Sequence, residues 1–350
     1  MKKSLLLATA VAATALLASC GGAGDSASGK TRDSIRAVGS STVYPFAKAV
    51  AESFAKSNAG FKSPIIESTG TGGGVKLFCA GVGPQHPDIA NASRQMKKSE
   101  FDDCQANGVK DILEVQIGLD GIALASAKGG IQMNLTPEII YKALAAKPFG
   151  KEQTAKTWKD IDPSLPNSPI LVYGPPSTSG TRDALKELIL EAGCKTDAAT
   201  KALKDTDEDK FKQVCTEVRG DGAYVDAGEN DNLIVQKIEA NPKALGIFGY
   251  SYLEENADKI HGLTINGVEP TYDNISSFAY PGARPLYMYV KKAHLDAIPG
   301  LKEFLGTWPK MWNKDGPLAK IGLVAAPDAV IAKSTEVATK FTTMTADGLK

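Results

Sequence analysis

The sequence is poor in the patterns that most often mark catalysis. Histidine occurs three times in 350 residues, as His86, His261 and His294. They are scattered and none forms HExxH, so surface or structural roles are expected for them. There is no GxxxxGK[ST] phosphate loop. Gly70-Thr71-Gly72-Gly73-Gly74-Val75 misses the dinucleotide fingerprint GxGxxG, because Val75 stands where the last glycine belongs. No serine lies in GxSxG, which excludes the nucleophile elbow of esterases. The five cysteines include no CxxC, so the usual zinc and thioredoxin-like signatures are missing. An excess of charge of one sign is lacking as well, with 40 basic against 40 acidic residues. That balance offers no field for nucleic acid or another polyanion. Any anion site must be local, and neither a cofactor nor a metal is expected.

Long apolar runs are almost absent too. The one that stands out covers residues 5–17, too short to span a bilayer. It follows Lys2 and Lys3 and leads to Leu17-Ala18-Ser19-Cys20. This is the layout of a signal peptide over residues 1–19 ending in a bacterial lipobox, with cleavage before Cys20 and lipid on its thiol. Residues 20–32 read as the lipidated cysteine and a flexible Gly/Ser/Ala-rich tether. The expected location is the periplasm or cell surface, lipid-anchored to the bacterial membrane. Removal of Lys2 and Lys3 leaves 38 basic against 40 acidic residues, a net of −2.

Export permits disulfides. Cys79, Cys104, Cys194 and Cys215 remain after Cys20 is set aside, and three pairings are possible. The sequence-local one, Cys79–Cys104 with Cys194–Cys215, joins neighbouring segments and is the expected one. Each such loop is worth roughly 3 kcal/mol in the chain-entropy model.

What the sequence does have is a repeated junction. The apolar run 169–173 reads as a buried strand, followed by Ser177-Thr178-Ser179-Gly180-Thr181-Arg182 and a helical pattern from Ala184. Ser179 suits an N-cap. The run 35–39 precedes Ser40-Ser41-Thr42-Val43-Tyr44-Pro45 and a helix with Phe46, Val50 and Phe54 on one face. The run 64–67 precedes Ser68-Thr69-Gly70-Thr71-Gly72-Gly73-Gly74 and a helix from Val75. Helix N-termini at the carboxyl ends of strands are where α/β folds bind ligands, anions above all.

Elsewhere, 98–106 reads as a helix and Thr136-Pro137 opens another through Ala145. Segments 111–116 and 121–126 read as strands flanking a crossing at 117–120. Asn266-Gly267 is a hairpin signal, and 284–291 reads as a strand returning between lobes. A helix near 301–308 and further helical stretches to the C-terminus complete the pattern. Strands alternating with helices mean α/β.

Gly39-Ser40-Ser41-Thr42-Val43-Tyr44-Pro45, the Ser68–Gly74 loop, Asp88-Ile89-Ala90-Asn91-Ala92-Ser93-Arg94 and Ser179-Gly180-Thr181-Arg182 follow one another in this order. With them the chain resembles the PstS family, the phosphate-binding receptors of high-affinity phosphate ABC transporters. The likeness covers nearly all of the chain after the signal peptide. It implies a two-lobed type II periplasmic binding protein with two interlobe crossings, lobe 1 being 33–117 plus 285–350 and lobe 2 118–284. It also implies a non-enzymatic, monomeric receptor that delivers inorganic phosphate to a membrane permease.

By position, the phosphate-binding residues implied are Ser41, Thr42, Val43, Thr71, Ser93, Arg94, Ser179, Gly180, Thr181 and Arg182. Two departures stand out. Ser93-Arg94 occupies the place of an aspartate that accepts the phosphate proton in well-known members, and Pro175 the place of an arginine. Arg94 and Arg182 are read as the replacement cations. Glu67, Asp120, Asp221 and Asp226 are the candidates for the proton acceptor. The missing aspartate leaves a receptor for sulfate or molybdate as the alternative substrate reading. An exported phosphatase is the alternative from another class.

Overall fold

The computed structural model describes residues 32–349, apart from 178, 229 and 230. The expected signal peptide, the expected lipidation site at Cys20 and nearly all of the expected tether lie outside the described residues. Arg32, read as the end of the tether, is fixed. Its guanidinium donates to the carbonyls of Ser34, Pro84 and His86 and to the Asp88 carboxylate at 2.5 Å.

Among the described residues eleven strands are formed: β1 (Arg36–Gly39), β2 (Ile65–Ser68), β3 (Ile89–Ala92), β4 (Ile112–Ala127), β5 (Asn134–Leu135), β6 (Val172–Gly174), β7 (Tyr224–Asp226), β8 (Leu245–Gly249), β9 (Ile260–Gly262), β10 (Thr264–Ile265) and β11 (Ala283–Lys291). Nine of them make one curled sheet in the order β2-β1-β3-β11-β4-β8-β6-β7, with β9 also on β4. β1 is parallel to β2 and β3, and β6 to β7 and β8, as strand–helix–strand units require.

β4 joins the two halves. Its first part pairs antiparallel with β11, from Ile112↔Lys291 to Gly121↔Ala283. Its second part leaves β11 and pairs with β8, then β9. The sequence reading put a break at 117–120; instead one strand of 16 residues runs straight through. The reason is burial on both sides. Leu113, Val115 and Ile117 enter one apolar cluster, while Leu119, Ile122 and Leu124 enter another.

The fold is therefore two-lobed α/β, with helices on both faces of the sheet. In the first lobe, Phe46, Val50 and Phe54 of helix Tyr44–Ser57 pack on one face with Trp308 and Trp312. Val75 and Phe78 of helix Thr71–Cys79 and Phe101 of helix Lys98–Ala106 cover the other, against Tyr287 and Tyr289. Alternation along β11 sends Leu286, Met288 and Val290 to the opposite face from these tyrosines. In the second lobe Trp158, Tyr141, Ile189 and Phe248 form the core, and Thr136 caps helix Pro137–Leu144 by accepting from the Ile139 amide at 3.1 Å.

Both expected disulfides form, Cys79–Cys104 and Cys194–Cys215, each between neighbouring helices of one lobe. Three local expectations needed correction. Asn266 and Gly267 do turn, both at positive φ, but no two-stranded hairpin results. A single bridge, Ile265↔Val268, closes the turn, and β10 pairs in parallel with β5. The C-terminal helix Asp328–Lys340 ends at left-handed Phe341, and the tail beyond is non-helical, with Met344, Ala346 and Leu349 packed on the first lobe. Helix Leu301–Leu305 is shorter than expected, and helix Ala198–Thr206, capped by Asp197, was not anticipated.

Candidate functional site

The three junctions form as strand, polar loop and helix. β1 ends at Gly39, with φ +132°, where a Cβ would stand 2.1 Å from the Asn91 carbonyl oxygen. Only glycine fits there, and the chain can then turn so that the Ser40 amide donates to Asn91 O at 2.9 Å. Ser40 in turn accepts from Tyr44 N through its carbonyl at 3.0 Å and from Val43 N through its hydroxyl at 3.3 Å. These bonds leave Ser41 and Thr42 at the turn, ahead of a 14-residue helix. The second junction places Thr71 at its helix start, and Thr71 Oγ1 accepts from Ser93 N at 3.1 Å and lies 2.9 Å from Ser93 Oγ. In the second lobe β6 ends at Gly174, and Ser179 caps the next helix by accepting from Thr181 N at 3.2 Å.

The first and last of these loops meet. Thr42 Oγ1 donates to the Gly180 carbonyl at 3.2 Å, and Ser41 Oγ donates to the Asp183 carboxylate. A Cβ on Gly180 would lie 2.5 Å from Thr42 Cα, so glycine is what lets the loops touch. Beside the contact is a cavity of about 370 Å³, walled by Ser41, Thr42, Ser179, Gly180 and Thr181, together with the carboxylates of Asp120 and Asp231.

Behind that wall lies a cation. Arg284 begins the returning strand β11 and is 5% exposed. It stands opposite Asp120 in the β4–β11 register and donates to that carboxylate from Nε at 3.1 Å. Its Nη2 donates to Thr42 Oγ1 at 2.8 Å, and its Nη1 to Glu187 of the second lobe. Burial pushes the Asp120 carboxyl above the usual range, against the pull of Arg284.

A family model described as PBP superfamily domain matches residues 24–306. The phosphate-binding protein PstS of Staphylococcus saprophyticus is 32% identical over 313 residues, which is 87% of this chain and 85% of the relative. Protein SphX of Synechococcus elongatus is 36% identical over 266 residues, 74% of this chain and 68% of the relative. The chain belongs to the PstS family of periplasmic binding proteins. A crystal structure described as a possible phosphate binding protein from Planctomyces limnophilus shares its fold, with a TM-score of 0.70 and 28% identity over 88% of this chain and 98% of that one.

Within this family frame the ten residues picked from the sequence fall into three groups. Ser41, Thr42, Ser179, Gly180 and Thr181 share the cavity wall. Val43 is buried behind it, and Thr71 and Ser93 bond each other outside its lining. The two arginines are occupied elsewhere. Arg94 grips Glu100 with two bonds, at 2.9 and 2.7 Å, and Glu100 also accepts from Lys97 N at 2.9 Å, closing the N-terminus of helix Lys98–Ala106. Burial raises the Glu100 carboxyl, but Arg94 and the Lys97 amide together hold it below its usual range.

Arg182 lies 4.1 Å above the Tyr224 ring, and both side chains donate to the Pro175 carbonyl, at 3.1 and 2.7 Å. It braces the Pro175–Ser179 loop from behind. Burial pushes the Tyr224 hydroxyl up to about 12, against the field of Arg182. Of the four candidate acceptors, Asp120 lines the cavity. Glu67 pairs with Arg36, Asp221 with Arg219, and Asp226 accepts from the Gly228 amide.

Arg284 was missed. Its signal was present: a single cation at the head of the apolar strand already read as the return crossing. A charge in a buried strand needs partners, and those of Arg284 include two residues of the cavity wall, Asp120 and Thr42.

Proposed function

We propose that this chain is an extracytoplasmic receptor that binds inorganic phosphate between its lobes and delivers it to an ABC-type permease. The observation that carries this reading is the meeting of two hydroxyl-rich helix starts, one from each lobe, across a cavity backed by a buried arginine. A phosphate dianion loses a large hydration energy on entry, so it needs several donors and a fixed cation. The hydroxyls of Ser41, Thr42, Ser179 and Thr181 are the donors, and the backbone at Gly180 can approach closely. Arg284 is the cation, charged at every working pH. Arg94 and Arg182 then support the loops and are not ligands.

Asp120 is the proton acceptor in this reading. Hydrogen phosphate carries a proton at neutral pH and sulfate carries none. As a carboxylate paired with Arg284, Asp120 accepts a hydrogen bond from the phosphate hydroxyl and repels sulfate, which has no proton to offer. Its similarity to proteins known as phosphate-binding proteins supports a binding role over turnover. The lipobox at Cys20 supplies the membrane attachment, and Cys20→Ala should release protein that still binds.

The test is calorimetric titration with phosphate, arsenate, sulfate and molybdate. Phosphate and arsenate should bind, sulfate and molybdate far more weakly, and Asp120→Asn should narrow the gap between phosphate and sulfate. A wild type that prefers sulfate would leave the family intact and remove the substrate.

A further inference from the structure

The helix that follows Ser179 carries two carboxylates four residues apart, Asp183 and Glu187, which places them on one helical face. Neither is needed to hold that helix down. Its apolar side is buried through Leu185, Ile189 and Leu190, and Ser179 caps its start. Both carboxylates also bond beyond their own helix: Asp183, which pairs with Lys186 at 3.5 Å, accepts from Ser41 Oγ of the first lobe, and Glu187 accepts from Arg284 Nη1 on the strand that crosses between the lobes. A third link, Thr42 Oγ1 to the Gly180 carbonyl, lies beside them at 3.2 Å. The links form one chain, because Arg284 also donates to Thr42 Oγ1. The segment Leu185–Leu190 is wound as a π-helix, a local widening that falls where Glu187 must meet Arg284.

We propose that Asp183 and Glu187 are positioning residues, a two-carboxylate latch that closes the second lobe onto Ser41 and Arg284 and sets ligand affinity without touching the ligand. The side chain of Glu187 is 51% exposed and that of Asp183 36%, against 6% for Arg284, so the latch sits at the rim and the cation behind it. Rim ion pairs add little to fold stability. They do matter to an equilibrium between open and closed lobes that lies near balance, where a small bias shows directly in populations. Opening the cleft separates both carboxylates from their partners and leaves Arg284 with Asp120 and the Thr42 hydroxyl. Closing restores them, and release of a bound ligand must break them first. The latch therefore acts on the release rate, and added salt weakens it.

The experiment has two arms, and only the second rests on the phosphate reading. In the first, small-angle X-ray scattering compares the ligand-free wild type with Glu187→Gln and Asp183→Ala. Both variants should be more open, and high salt should move the wild type toward them. Scattering profiles that match the wild type overturn the latch, whatever the kinetics. In the second, stopped-flow mixing with inorganic phosphate should show release quickened about three- to tenfold in Glu187→Gln, with association and melting temperature little changed. Tighter phosphate binding in Glu187→Gln also overturns the proposal, because Glu187 would then compete with the ligand for Arg284. A wild type that takes up no phosphate refutes the receptor reading and leaves the scattering arm to decide the latch.

Discussion

β11 buries a cation at each end, and the two are held in different ways. Arg284, at the cleft end, is surrounded by Asp120, Glu187 and the Thr42 hydroxyl, contributed by both lobes. Lys291, at the far end, is 1% exposed and donates to the Gly81 carbonyl at 2.6 Å, with its ammonium 4.9 Å from the Phe78 ring centre. Around Lys291 the partners are already spoken for. Asp88 accepts from the Arg36 amide at 2.7 Å, from Arg32 and from His294 Nδ1 at 2.6 Å. His294 Nε2 accepts from the Gly83 amide at 3.2 Å. Lys291 fastens loops within one lobe, whereas Arg284 joins Asp120, Glu187 and Thr42 next to a cavity. A buried charge alone does not mark a site; one shared between lobes does.

Breaking the Arg284 end should give the largest effect. Arg284→Ala leaves Asp120 buried without its partner, and loss of one member of a buried pair costs about 3–5 kcal/mol. Chemical denaturation should show that loss, and Arg284→Ala with Asp120→Asn should recover much of it, because no uncompensated charge remains. An Arg284→Ala variant as stable as the wild type would mean that Asp120 is not paired as described.

The interlobe contact comes next. Gly180→Ala puts a methyl group against the Thr42 backbone, so closure should suffer while each lobe folds normally. Phosphate affinity should fall about ten- to a hundredfold, or roughly 1.4–2.8 kcal/mol, with little change in melting temperature. Unchanged affinity in a calorimetric titration would place the ligand away from this contact.

The Lys291 end should show itself only in pH dependence. Burial pulls its ammonium down to about 8, against the attraction of Asp88. An unfolded lysine keeps its proton to near its ordinary pKa of about 10.4. The unfolded state therefore binds more protons than the native state in the window above about 8, and stability should rise with pH there. Denaturation midpoints for the wild type should climb across that window, and Lys291→Met should flatten the climb without altering phosphate binding. A wild type whose midpoint is flat or falls there would contradict the buried-ammonium assignment.

The fold was legible where local signals agreed. Helix Tyr44–Ser57 had its face of Phe46, Val50 and Phe54, and Lys98–Ala106 and Pro137–Leu144 had clear boundaries. The disulfide pairs followed from proximity along the chain. β4 was read as two strands flanking a crossing at 117–120, and only the partner across the ladder explains why the Asp120 carboxylate sits within it. The loops of the site could be read from hydroxyls and glycines placed between strand and helix. Its charge could not, because Arg94 and Arg182 lie within those loops while Arg284 comes from a crossing 102 residues after Arg182. Adjacency in sequence pointed to Arg94 and Arg182, which are engaged by Glu100 and by Tyr224 with the Pro175 carbonyl.

The most direct measurement is a side-by-side phosphate titration of the wild type, Arg284→Ala, Arg284→Ala with Asp120→Asn, and Arg94→Ala. Arg284→Ala should bind at least about a hundredfold more weakly, in line with a charge-assisted bond of up to about 3 kcal/mol and a lost counter-charge. The double variant should regain stability but not affinity, and Arg94→Ala should stay within about threefold of the wild type, because it removes only the Glu100 pair. If Arg94→Ala abolishes binding and Arg284→Ala leaves it intact, phosphate is held at the third loop and not in the cavity in front of Arg284.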